Sequence, residues 1–186
     1  MSTTTRVTYA QYEEMIRQGV FEPREEHHVE LIYGEIVPMS PIGNPHCSVV
    51  DRLNDWSVRS LPEGVAWVRC QGSLGIPELE SVPEPDFSWL RHDDYFDKTP
   101  GPADVFLVVE VADSSLAKDR GLKARLYAEA GLSDYWIVNV PARCIEVRRD
   151  PRDGAYQSVV TYRAGQLVRP LAFPDVALPV ASLFPA

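Results

Sequence analysis

The period of the hydrophobic pattern changes several times along the chain, and each change marks a predicted element. Helical spacing predicts a short helix that begins at Thr8 and ends near Gly19. Residues 28–39 then alternate apolar and polar positions around Tyr33, which predicts a β-hairpin. Helical spacing returns after the hairpin and predicts a second helix that ends at Leu61 and turns its apolar stripe toward the core.

The remainder of the chain predicts a sheet. Short apolar segments bounded by Gly and Pro are typical of strands, and residues 105–111 are expected to be the most buried of them. A helix is predicted over 117–130 and ends at Gly131. This order predicts an α/β (α+β) fold in which a mixed central β-sheet is flanked by helices. The predicted strands are residues 65–70, 73–76, 86–90, 105–111, 135–140, 144–148 and 156–162.

The length of 186 residues predicts one domain over 1–186, with a core over about 8–165. The Pro-rich tail over 170–186 is expected to wrap the surface. No stretch of the sequence has the apolar length of a membrane span, so no membrane partner is predicted. The N-terminus lacks the apolar segment of a signal peptide, which predicts a cytoplasmic protein.

The charge of the chain bears on its partners. A net charge of −9 and a pI of about 4.9 disfavour tight non-specific binding to nucleic acid, because like charges repel at long range. Two basic segments allow two interpretations: a local basic face, or ordinary solvated surfaces. The two basic segments contain Lys118, Arg120, Lys123 and Arg125, and Arg143, Arg148, Arg149 and Arg152.

Three carboxylates occupy positions in segments that are otherwise fit for burial. The two-residue period of a strand places Glu110 and Ala112 on one face of the most apolar strand. Asp86 begins another predicted strand, and Glu30 lies within the hairpin. Carboxylate oxygens are hard ligands suited to Mg²⁺ or Mn²⁺, and crowded acids protonate unless a cation separates them. The alternative is that each acid lies at a strand end and is solvated or paired with an arginine.

The predicted helix after the Glu110 strand carries a second group of polar residues. Asp119, Lys123 and Tyr127 are spaced four residues apart and therefore project from one helix face. This face would bring an ammonium group toward the acids. An exposed Asp–Lys pair of little energetic consequence is the alternative.

Six short segments follow one another in a recognisable order along the chain. They are Glu30-Leu-Ile-Tyr-Gly34, Met39-Ser-Pro41 with His46, Pro85-Asp86, Val109-Glu-Val-Ala-Asp-Ser-Ser115, Asp119-x-x-x-Lys123-x-x-x-Tyr127 and Ala130-Gly-Leu-Ser-Asp-Tyr-Trp-Ile-Val138. This series resembles the Uma-two family of restriction-endonuclease-like proteins, and the resemblance extends from about residue 8 to the tail. It implies a restriction-endonuclease-like sheet with flanking helices and the Mg²⁺-dependent centre of the PD-(D/E)xK phosphodiesterase superfamily.

The resemblance also implies roles for individual residues. Asp86 matches the acid of the Pro-Asp element and Glu110 the acid of the E-x-K element, so both would ligate Mg²⁺ or Mn²⁺ together with the backbone carbonyl of Val111. Glu30 matches the acid that such folds supply from an early element, which completes the metal shell or holds a water. The chain departs from the superfamily at one position, because Ala112 replaces the usual lysine.

The missing amine has a candidate replacement. Lys123 matches the place on the following helix from which the family supplies its lysine, and it would orient the attacking water or stabilise charge on the phosphoryl group. Tyr127 and Asp119 would orient Lys123, although packing is the alternative role for Tyr127. His46, at the start of the second helix, would contact phosphate or cap the helix.

Three functional hypotheses follow. The first is a metal-dependent nuclease that hydrolyses DNA in preference to RNA and acts as a homodimer. The second is a catalytically degenerate member of the fold that binds nucleic acid or a protein partner without cleavage, which both Ala112 and the acidic pI leave open. The third is a small-molecule enzyme or interaction module, because a fold does not dictate a function.

Overall fold

The computed structural model of the protein describes residues 6–23 and 28–185. The prediction of a cytoplasmic location rests on the first six residues, and most of these lie outside the described residues. Its centre is a six-stranded sheet in the order β3-β4-β5-β6-β7-β8. The β5–β6 pair is parallel and the other neighbours are antiparallel, which confirms the predicted mixed sheet. These strands are β3 (Ala66–Cys70), β4 (Phe87–Arg91), β5 (Val105–Ala112), β6 (Asp134–Asn139), β7 (Cys144–Arg152) and β8 (Ala155–Tyr162).

The N-terminal elements follow the predicted order. Helix α1 (Tyr9–Arg17) begins after Thr8, whose side chain accepts a hydrogen bond from the third backbone N–H of the helix. A two-residue turn with positive φ at Tyr33 and Gly34 joins strands β1 (Val29–Ile32) and β2 (Glu35–Pro38) in an antiparallel hairpin. Helix α2 (Asn44–Ser60) follows, with a proline in its first turn.

The parallel pair β5–β6 is connected by a helical crossover that was predicted as one continuous helix over 117–130. It consists instead of α3 (Leu116–Lys118), a single π turn (Asp119–Lys123) and α4 (Ala124–Glu129), and it ends at Gly131 in the left-handed region. Sequence spacing alone does not distinguish a π turn from the α-helix around it. Such wide turns occur frequently at functional sites.

The two faces of β5 pack against different layers, as its alternation predicts. Leu107, Val109 and Val111 join the cluster that contains the α2 residues Val49 and Leu53. Val108 and Ala112, on the opposite face, join the cluster that contains Ala124 and Leu126 of α4. Helices therefore cover both faces of the sheet, and β5 lies between them.

Two local predictions are wrong. Residues 73–76 form no strand within the described residues and contribute only an isolated bridge from Ile76 to Ser81. Their apolar side chains reflect burial, since Leu74 and Ile76 are each 1 % exposed. The Pro-rich tail was expected on the surface, but Leu178 and Val180 are buried in the same cluster as α2. The tail forms strand β10 (Leu178–Pro179) with strand β9 (Leu167–Val168), and its apolar residues extend the core beyond residue 165.

None of the helices in the described ranges has the length and apolar character needed to cross a membrane.

Candidate active site

A cleft opens at the C-terminal end of β5, between the hairpin side of the molecule and the helical crossover. Its walls come from the loop after β2, the first turn of α2, the loop after β5 and the segment α3 to the π turn. The charged side chains that line it are five carboxylates and two lysines, which makes the cleft acidic. They are Glu30, Asp86, Glu110, Asp113 and Asp119, with Lys118 and Lys123.

Strand register brings Asp86 and Glu110 together. Phe87 of β4 pairs with Val109 of β5, so the residue before Phe87 lies beside the residue after Val109. The backbone N–H of Asp86 is 3.4 Å from Oε2 of Glu110, and the backbone N–H of Val111 donates to Oδ2 of Asp86 at 2.7 Å. The two carboxylates are 8 % and 4 % exposed, respectively. Asp86 and Glu110 thus lie close together in one buried part of the cleft.

Lys123 reaches these acids from the π turn. Its Nζ lies 3.1 Å from Oε1 of Glu110 and 2.6 Å from Oε2 of Glu30, and the residue is 2 % exposed. The hydroxyl of Tyr127 donates to the same Glu110 oxygen at 2.6 Å. Ala112, on the same strand face as Glu110, is fully buried in the apolar cluster that also contains Ala124. The ammonium group that contacts Glu110 comes from the helical crossover.

Glu30 is the third acid of the cleft, and both of its oxygens accept from lysines. One receives Lys118 and the other receives Lys123. The backbone N–H of Glu84 is 3.3 Å from the oxygen that Lys123 contacts. In this arrangement Glu30 anchors two ammonium groups.

The electrostatics of this group follow from one buried ammonium between two carboxylates. Burial would raise the pKa of Glu30, but Lys123 and Lys118 hold it below the ordinary value. Burial raises the pKa of Glu110 to about 8, with Lys123 opposing the rise and Asp86 adding to it. Burial would lower the pKa of Lys123, but Glu110 and Glu30 outweigh it and the pKa rises. Glu30 is therefore the ionised partner of Lys123, whereas burial favours the protonated form of Glu110.

His46 and Asp119 complete the walls of the cleft. His46 is 6 % exposed, its Nε2 lies 2.9 Å from Oδ1 of Asp86, and its buried Nδ1 has no hydrogen-bond partner among the described residues. Burial would lower the pKa of His46, but the hydrogen bond to Asp86 raises it. Asp119 accepts a hydrogen bond from Ser115 at 2.5 Å, and burial raises its pKa to about 6. His46 thus supports Asp86, while Asp119 is held by the loop after β5.

The donor set suits a hard divalent cation. Asp86 and Glu110 offer carboxylate oxygens from neighbouring strands. Burial raises the pKa of Glu110 and the charge of Asp86 adds to the rise, and a bound cation would oppose both effects. Within residues 6–23 and 28–185, no group of three or more His, Cys, Asp or Glu side chains is arranged as a ready metal site. Ligation by Glu110 would require the loss of its proton, and Lys123 and Tyr127 both contact Oε1 of Glu110 rather than Oε2.

The two basic segments form no free basic face. Among their eight side chains, seven pair with carboxylates, and the guanidinium of Arg143 lies over the ring of Phe184. The pairs are Lys118–Glu30, Arg120–Glu146, Lys123–Glu110, Arg125–Glu129, Arg148–Glu146, Arg149–Asp134 and Arg152–Asp150.

The fold matches that of a nuclease. A solved structure described as "a putative nuclease belonging to DUF820", from Anabaena variabilis ATCC 29413, superposes with a TM-score of 0.71 at 14 % identity, over 96 % of this chain and 97 % of that one. This likeness shows the fold alone. A comparison with curated proteins finds no match.

The family follows from the sequence match. The model of the Uma2 family, described as "Putative restriction endonuclease", matches residues 9–181, so the chain belongs to the Uma2 family. This is the Uma-two family that the ordered segments resemble, and the recognition is confirmed. Restriction-endonuclease-like families are generally metal-dependent.

Sequence reasoning missed part of the cleft. Lys118 was noted only for its charge, and neither Asp113 nor Ser115 was assigned to the site, although all three line it. Asp113 and Ser115 follow the Glu110 strand directly, and residues just beyond a strand end gather at the same sheet edge. The place of Lys118 depends on the π turn, for which the sequence carries no spacing signal.

Proposed function

We propose that this chain is a nuclease that hydrolyses phosphodiester bonds of DNA, in preference to RNA, with Mg²⁺ or Mn²⁺ as its cofactor. The observation that supports the proposal most strongly is the convergence of Asp86, Glu110 and Lys123 in one buried cleft of an acidic protein. Keeping these ionisable groups buried costs stability, and perturbed pKa values of this kind concentrate at functional sites.

In this proposal the chain's own groups divide the work. Asp86, Glu110 and the backbone carbonyl of Val111 would hold the cation, which when bound lowers the pKa of a water and polarises a phosphate oxygen. Lys123 orients that water or stabilises charge on the phosphoryl group. The hydroxyl of Tyr127 fixes the Glu110 side chain.

The supporting residues hold these groups in place. His46 fixes one oxygen of Asp86 through Nε2, and the backbone N–H of Val111 fixes the other. Asp119 lies in the electrostatic field of Lys123 and is tied to Ser115. A ligand role for Glu30 stays a prediction, because its contacts favour the anchoring of lysines.

A second candidate function is favoured by the pairing of Lys123. Its ammonium already contacts the side chains of Glu30 and Glu110, and Ala112 provides no other amine on the Glu110 strand. A degenerate protein that binds nucleic acid or a protein partner without cleaving would retain this closed arrangement. Homodimerisation and a cytoplasmic location remain predictions for either function.

The proposal is tested by cleavage of supercoiled and single-stranded DNA with Mg²⁺, Mn²⁺ or EDTA. We expect metal-dependent cleavage that Asp86→Asn and Lys123→Ala each reduce by 100-fold or more, on the order of the loss of a principal electrostatic group. Asp93→Asn is the matched control, because Asp93 is an exposed acid whose partner is Lys98. DNA binding without cleavage by the wild type would support the degenerate binder, and cleavage unaffected by Asp86→Asn would exclude this site.

A further inference from the structure

Lys118 differs from the other cation of the cleft in its access to solvent. Its side chain is 26 % exposed at the cleft wall, whereas that of Lys123 is 3 % exposed. Both ammonium groups contact Glu30, whose side chain is fully buried. Lys118 is therefore the only lysine lining the described cleft that can contact a ligand in its mouth without leaving a buried position.

The π turn explains why two lysines five residues apart meet one carboxylate. In a regular α-helix, residues five apart differ by about 140° around the axis and project from different faces. The wide turn Asp119–Lys123, closed by the bond from the N–H of Ala124 to the carbonyl of Asp119, adds a residue and brings Lys118 and Lys123 to the same side. The π turn thus places the ammonium groups of Lys118 and Lys123 together at Glu30.

Sharing of Glu30 makes one of the two ion pairs replaceable. Removing the partner of a buried carboxylate is costly when no other cation remains. Here Lys123 stays 2.6 Å from Glu30 if Lys118 departs, so Glu30 keeps a charged partner. Lys118 can exchange Glu30 for another anion at little cost, while Lys123 has no comparable freedom.

The acidic lining of the cleft determines which ligand would need an exposed ammonium group there. A nucleic acid strand that enters this cleft meets five carboxylates, and its phosphates require a compensating cation. Lys118 has the charge, the exposure and the long flexible stem for this contact.

We propose that Lys118 is a substrate-binding residue whose ammonium moves from Glu30 to a backbone phosphate flanking the scissile bond, while Lys123 remains on Glu30. This inference rests on the proposed nuclease function and names the substrate contact within the same site. The contact is to the phosphate backbone, so it is independent of base sequence.

The test compares Lys118→Gln and Lys118→Arg with the wild type and with Lys98→Gln, which removes an exposed lysine that pairs with Asp93. The probe is a fluorescent single-stranded oligonucleotide titrated at several salt concentrations with Ca²⁺ in place of Mg²⁺, followed by cleavage kinetics with Mg²⁺. Mn²⁺ affinity and melting temperature are measured for every variant.

We expect Lys118→Gln to weaken oligonucleotide binding by about tenfold and to reduce the slope of log affinity against log salt by about one. KM rises while kcat, Mn²⁺ affinity and melting temperature stay near wild type, and Lys118→Arg restores most of the affinity. A merely structural Lys118 would lower the melting temperature without changing the salt slope, and that result overturns the proposal.

Failure of the two proposals gives different patterns. If the wild type binds and cleaves DNA but Lys118→Gln keeps the wild-type affinity and salt slope, the assignment of Lys118 is wrong and the nuclease function stands. If the wild type neither binds nor cleaves any oligonucleotide, both proposals are overturned.

Discussion

The side chains on both faces of β5 are buried from Leu107 to Ala112, but only one face carries a charged residue. On the α2 face, Leu107, Val109 and Val111 pack with tryptophans in an apolar cluster. On the opposite face, Glu110 follows Val108 and is bound by Lys123. One strand therefore faces an ordinary core on one side and a buried ionic network on the other.

The difference shows where the chain accepts a cost in stability. Apolar burial stabilises the fold in proportion to the area removed from water, whereas a buried ion pair roughly breaks even against apolar residues of equal size. The α2 face is thus explained by folding alone. The network around Glu110 is expected to add little stability, so folding alone does not explain it.

The largest effect is expected on the apolar face. Trp89 is fully buried and stacks on Trp56 at 5.1 Å, so Trp89→Ala should lower the free energy of unfolding by about 3–5 kcal/mol. Trp67 on the adjacent strand is 48 % exposed, and Trp67→Ala is the matched control with an expected loss below about 1 kcal/mol. Urea denaturation measures both. Equal losses would contradict the assignment of the core.

A smaller loss is expected when the ionic network is broken on one side. At a pH above about 8, where Glu110 is ionised, Lys123→Met leaves its carboxylate without an ammonium partner and should lower stability by about 3 kcal/mol. Adding Glu110→Gln should recover part of this loss, because the uncompensated carboxylate is removed. Glu110→Gln alone should change stability by about 1 kcal/mol or less and abolish metal-dependent cleavage. A large loss of stability from Glu110→Gln would show that the network is structural.

The pH dependence isolates Glu110. Its pKa is about 8 in the folded protein against an ordinary value of 4.5, so the folded state binds a proton that the unfolded state has lost. Stability from this group is therefore lost as pH rises from about 4.5 to 8, with a slope of at most about 1.4 kcal/mol per pH unit. Subtracting the profile of Glu110→Gln from that of the wild type removes other groups. A flat difference would contradict the raised pKa.

Metal binding should show the opposite pH dependence to stability. A cation at Glu110 replaces the proton, so Mn²⁺ affinity should rise with pH up to about 8 and binding should release close to one proton near neutral pH. Calorimetry in buffers of different ionisation enthalpy measures the released proton. In Glu110→Gln the release should disappear.

The smallest effect is expected from the hydroxyl of Tyr127. Tyr127→Phe keeps the packing and removes the 2.6 Å hydrogen bond to Glu110, which should lower Mn²⁺ affinity a few-fold and stability by about 1 kcal/mol. Tyr156→Phe is the matched control, because its hydroxyl donates to the backbone of Leu132 away from the cleft. Equal Mn²⁺ affinity in the two variants would remove Tyr127 from the site.

Local patterns in the sequence predicted the sheet, the alternation of β5 and the approach of Asp86 to Glu110, because strand period and pairing depend on local alternation. The ion pairs of Glu30 with both Lys118 and Lys123 could not be predicted from the sequence. It depends on a π turn and on the docking of a distant hairpin, both set by tertiary packing. Near residues 74–76 and in the tail, the apolar side chains indicated correctly which residues are buried, but they did not indicate which secondary-structure element forms there.

The measurement that tests the account most directly is anomalous diffraction from crystals soaked in millimolar Mn²⁺. The account predicts a peak bonded to Asp86 and Glu110 and close to the carbonyl of Val111, with the hydroxyl of Tyr127 still bound to Glu110 and with Glu30 still holding its lysines. No peak at this position would contradict a metal-dependent centre and favour the non-catalytic binder.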